Sequence, residues 1–79
     1  MLPRFDNPLI NTSLGSFLLD MERSRSLAEL DLHLARAWAY LRALMETRAI
    51  ASAQSILIGQ IFEAHYDQQF RRQGEEGLI

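Results

Sequence analysis

The residues able to do chemistry are few. His33 and His65 are the only histidines, and the chain has no Cys at all. Glu29 and His33 lie four apart, a spacing that brings two side chains to one helix face. Glu29, however, also completes a capping pattern with Ser26, which explains it without a metal. Glu63, His65 and Asp67 are close in sequence, but only Glu63 and Asp67 share a helix face. A di-iron bundle needs Glu-x-x-His from two helices and a zincin needs His-Glu-x-x-His; neither occurs. Ser52 and Ser55 have no His at a spacing that would activate them, and no Gly-rich phosphate loop is present. The expectation is a protein with no catalytic residue, no metal site and no cofactor.

What must position any functional surface is therefore helix. The 79 residues lack Val and Lys, and all eight basic residues are Arg. Leu, Ala, Arg, Glu, Met and Gln, the strong helix formers, dominate, and strand-type enrichment is absent apart from Ile. The reading is all-α: a small helical bundle of one domain, 1–79, with a short N-terminal helix followed by a two-helix antiparallel hairpin.

Residues 1–12 read as an irregular leader because Pro3 and Pro8 turn their predecessors away from helix. A first helix is expected over 13–23, with Asn11, Thr12 or Ser13 as cap and Leu14, Phe17, Leu18 and Met21 on one face. Ser26 and Glu29 form an S-x-x-E capping box that opens a second helix over 27–47. Its main stripe runs Leu27, Leu30, Leu34, Ala37, Trp38, Leu41, Leu44 and Met45, with Trp38 read as core. A third helix is expected over 50–73. It carries one stripe through Ile50, Ala53, Leu57, Ile61 and Ala64, and a second through Ile58, Phe62, His65 and Tyr66. Gly74 suits a stop, leaving 74–79 as a flexible tail. No Gly or Pro separates the second helix from the third. Phase nevertheless argues for a turn near 47–50, because an unbroken rod would put the two helices' stripes on opposite sides.

Two surfaces stand out. Ala28, Leu32, Ala35, Ala39 and Ala43 form a second apolar line opposite the Leu/Trp stripe, of small residues that permit close helix approach. Phe62, Tyr66 and Phe70 recur every four residues and could anchor a partner or form the seam against the first helix. Three helices in a chain this short cannot hide so much apolar circumference from one another. The expectation is a non-catalytic protein–protein interaction module: a small regulator, anti-activator, adaptor or chaperone, forming a twofold homodimer. Its interface residues are expected to be Leu32, Ala35, Ala39, Ala43, Phe62, Tyr66 and Phe70.

The alternative is a small helix-turn-helix regulator binding nucleic acid. A net charge of −2 argues against it, since such affinity rests on phosphate neutralisation. The Arg residues are scattered except for the pairs Arg23/Arg25 and Arg71/Arg72. No apolar run is long enough to span a membrane, and the start lacks the basic and apolar regions of a signal peptide. A cytoplasmic location is the default expectation.

Overall fold

The computed structural model describes residues 4–77, with side chains described through Gly74. It contains three helices, α1 (Pro8–Glu22), α2 (Leu27–Glu46) and α3 (Ser52–Gly77), and no strand among the described residues. They pack pairwise, every helix against both others, into a rod of 44 × 19 × 17 Å.

α1 begins earlier than its proline suggests. Asn7 is the N-cap, its Oδ1 accepting from Leu9 N at 3.0 Å, and Pro8 occupies the first helical position. There a missing N–H costs nothing and the fixed φ suits the helix. The leader is thus irregular only up to Asn7 among the described residues, and residues 1–3 lie outside them. Asn11, read as a possible cap, instead fastens the segment before the helix. Its amide accepts from Phe5 N and donates to Phe5 O, both at 2.8 Å. That holds the Phe5 ring against the core.

The boundary between α1 and α2 follows the capping pattern, with one change. Ser26 Oγ accepts from Glu29 N at 3.1 Å, but Glu29 Oε2 reaches one residue further back, to Arg25 N at 2.6 Å. Two otherwise orphaned amides are satisfied.

The turn expected near 47–50 is present and is a Schellman motif. Ala49 N donates to Leu44 O at 2.9 Å and Arg48 N to Met45 O at 3.1 Å. These bonds satisfy the last carbonyls of α2. Such a motif needs a left-handed residue, usually Gly, and here Arg48 takes it with φ 58. Ile50 is buried just beyond, and Ala51 N donates to Gln54 Oε1 at 2.8 Å as α3 starts. α3 then continues through Gly74 to Gly77; the expected stop at Gly74 does not occur, and residues 78–79 lie outside the described part.

The core comprises Ile10, Leu14 and Met21 of α1, Leu30, Ala37, Leu41 and Leu44 of α2, and Ile58 and Phe62 of α3, with Ile50 at one end. On α2 these all belong to the expected stripe; on α1 Leu14 and Met21 are the two ends of theirs, Phe17 and Leu18 between them are partly buried, and Ile10 is added from the segment expected to be irregular. On α3 the choice is different. Ala53, Leu57 and Ala64 of the first stripe are exposed and Ile61 is half-buried, while Ser55, Ile58, Gly59, Phe62 and Gln69 face inward.

Candidate protein-docking surface

The expected interface residues fall into three groups. Leu32 is 49% exposed, and Ala35, Ala39 and Ala43 are exposed with it. The three alanines line a shallow groove with Trp38, Arg42 and Glu46. Phe62, by contrast, is fully buried. Its place in the expected interface is corrected accordingly: it is a core side chain, meeting Trp38 edge-on at 6.2 Å between ring centroids. Tyr66 is half-buried and Phe70 is 47% exposed. Their rings are 5.9 Å apart.

The aromatic line meets α2. Tyr66 donates to Asp31 Oδ1 of α2 at 2.6 Å, and Phe62 meets Trp38 of α2. The carboxylate that accepts this hydrogen bond, with burial and the nearby charges of Asp31, Asp67 and Glu63, raises the Tyr66 pKa above its ordinary value of 10.0. α1 lies on the other flank of the hairpin, where Phe17 packs against Tyr40 at 5.3 Å. On the same flank His65 Nε2 meets Glu22 Oε1 at 3.1 Å.

The side of the α2–α3 hairpin away from α1 is where the unexpected surface lies. On α2, Leu27, Leu34, Trp38 and Met45 share one line, and on α3 so do Ile56, Gly59, Tyr66 and Phe70. The contact between Trp38 and Gly59 and the bond between Asp31 and Tyr66 set these lines side by side. Trp38, read from sequence as core, is 38% exposed; Met45 is 50% and Ile56 63% exposed. A methyl group at Gly59 would stand 2.9 Å from Trp38 Cη2. The absence of a side chain there is what lets the outer edge of the indole come this close to α3.

The two Arg pairs singled out in the sequence converge. Arg72 Nη2 donates to Glu22 O at 2.9 Å and Gln73 Nε2 to Ser24 O at 2.7 Å. This places the Arg71/Arg72 segment of α3 against the connection that holds Arg23 and Arg25. Glu22, at the end of α1, and Glu29, in the first turn of α2, flank the same connection, so the convergence makes no strongly basic face. Among the described residues no three His, Asp or Glu side chains gather as a metal-ligand set. None of the described helices is long and apolar enough to cross a membrane.

Compared with known proteins, the chain matches no family model, no curated protein and no solved structure.

Proposed function

We propose that this chain is a non-catalytic protein–protein interaction module that self-associates as a twofold homodimer and works by helix packing, in the manner of a small regulator, anti-activator, adaptor or chaperone. One observation carries the reading: large apolar side chains remain in water on both long helices. Trp38, Met45, Ile56 and Phe70 all do so. Scattered exposed leucines need no explanation, but contiguous apolar surface marks an interaction site. Of the expected interface residues, Leu32, Ala35, Ala39, Ala43, Tyr66 and Phe70 remain candidates. The nucleic-acid alternative gains no supporting feature from the mixed charges around the Arg pairs.

Light-scattering mass of the full chain across a concentration series, with an affinity pull-down in parallel, tests the reading. A mass of twice 9.1 kDa, or a retained partner lost on Phe70→Glu, is the expected result. A monomer at every concentration that also retains nothing overturns it.

A further inference from the structure

We infer that the occupant of the uncovered side of the α2–α3 hairpin is a second copy of the same side, joined with α2 antiparallel to α2 about a twofold axis level with residue 36. This rests on the docking reading above and names its partner and face.

The first argument is symmetry. A twofold interface must be complementary to itself, residue i meeting j and j meeting i. Leu27, Leu34, Trp38 and Met45 are separated by seven, four and seven positions, a spacing that reads the same in both directions. An antiparallel twofold at its midpoint puts Leu27 of one copy opposite Met45 of the other, and Leu34 opposite Trp38. The same operation carries the level of Arg42, which pairs with Glu46 at 3.2 Å, to within one residue of Asp31, so no like charges oppose each other there. α3 follows the same pattern. Trp38 lies at the level of Gly59 and Asp31 at that of Tyr66; in that register Ile56 of one copy falls opposite Tyr66 of the other.

The second argument is area. Leu27, Trp38, Met45, Ile56 and Phe70 are each between 38% and 63% exposed. At roughly 200 Å² for a large side chain, they leave about 500 Å² of apolar surface on this side. One half of a standard interface buries about 800 Å², of which some 60% is apolar. The uncovered side alone therefore supplies what one partner of a stable dimer needs. Trp38, with its outer edge against Gly59 and its ring perpendicular to that of Phe62, is a preordered aromatic of the kind that anchors such interfaces.

The test uses the full chain, which has one Trp and no Cys. The dimer mass is expected for the wild type, with Trp38 emission moving to shorter wavelength as concentration rises. Ile56→Glu and Met45→Glu, both at largely exposed positions, should each raise the dimer dissociation constant at least ~100-fold by burying an unpaired charge. Circular dichroism melts should show them still folded. Ala39→Glu should leave the dimer intact. Under mild oxidation, a mixture of the Leu27→Cys and Met45→Cys proteins should form a disulfide-linked pair. Met45→Cys alone should not, because its two copies stand about 27 Å apart along the axis. A monomeric wild type overturns self-docking and with it the homodimer of the reading above, whose protein-interaction part falls only if the pull-down is empty too. A dimer split by Ala39→Glu but not by Ile56→Glu leaves self-association standing and overturns this face. Efficient linkage of Met45→Cys to itself overturns the antiparallel register.

Discussion

The two sides of the α2–α3 hairpin are built from the same residue types and end in opposite circumstances. On one side α1 lays Leu14 and Met21 against the hairpin, fully buried, and packs Phe17 against Tyr40. On the other, Trp38, Ile56 and Phe70 face water. Composition alone does not distinguish them, since each side offers an aromatic, branched aliphatics and a polar tie to its neighbour. The difference is cover: α1 lies along one flank, and no other described helix lies along the second. A bare apolar flank is a different thing from a polar surface, and substitutions on the two sides should behave differently.

The sharpest contrast is between Phe62 and Ile56, six positions apart on one helix. Phe62→Ala empties a fully enclosed site and should cost about 3–5 kcal/mol of folding stability. That is a large share of what a domain this size possesses. Ile56→Ala, measured in urea at a dilution where the chain is monomeric, should stay within about 0.5 kcal/mol. Equal losses would mean that the bare side is not bare. Gly59→Ala comes next. The helix gains about 1 kcal/mol from the better helix former. The new methyl displaces the Trp38 indole from 2.9 Å, an overpacking worth roughly 1–3 kcal/mol. A net loss of about 1 kcal/mol with a red-shifted Trp emission is expected; a stabilised protein with unchanged emission would show that the indole is not seated on Gly59.

Much of the scaffold was legible in the sequence, and the failures have specific causes. The Ser26/Glu29 pattern located the start of α2 because it encodes hydrogen bonds to particular amides. Pro8 was misread because the rule against helix applies to the residue before a proline, while the proline itself suits the first helical position. On α3 two stripes were expected; the second, through Ile58 and Phe62, faces inward, while the first is largely outside because Ser55, Gly59 and Gln69, which carry no apolar signal, complete the inward face. Trp38 was assigned to the core from its stripe. Nothing local to Trp38 could say that α3 would offer a glycine at that level, leaving the indole half outside. The docking candidates divide likewise: Leu32, the alanines and Phe70 are at the surface, Phe62 is not, and Met45 and Ile56 were missed because single apolar positions carry no signal until two helices are placed together.

The turn that creates both sides was found only by phase, since Arg48 holds the left-handed position with φ 58 where Gly is usual. Arg48→Gly should therefore raise stability by about 0.5–1 kcal/mol, the relief of the Cβ strain less the added freedom of the unfolded chain. Thermal melts would check it. A loss instead would mean that the Arg48 side chain contributes more than its backbone costs, and that the hairpin is set by a contact and not by the motif.

The smallest effect tests the polar tie on the bare side. The carboxylate of Asp31 accepts from the Tyr66 hydroxyl at 2.6 Å, chiefly for which reason the Tyr66 pKa is raised above 10.0. In the unfolded chain the hydroxyl titrates near its ordinary value of about 10. A group whose folded pKa is the higher one binds its proton more tightly when folded. Its contribution is thus complete below about pH 10 and fades as pH rises through the folded value. Urea unfolding from pH 8 to 11 should show the wild type losing stability over that window more than Tyr66→Phe does. The other tyrosine, Tyr40, remains in both proteins, so the difference isolates Tyr66. If the two profiles run parallel, the bond is not made in solution. α2 and α3 would then be joined on this side by the indole over Gly59 alone.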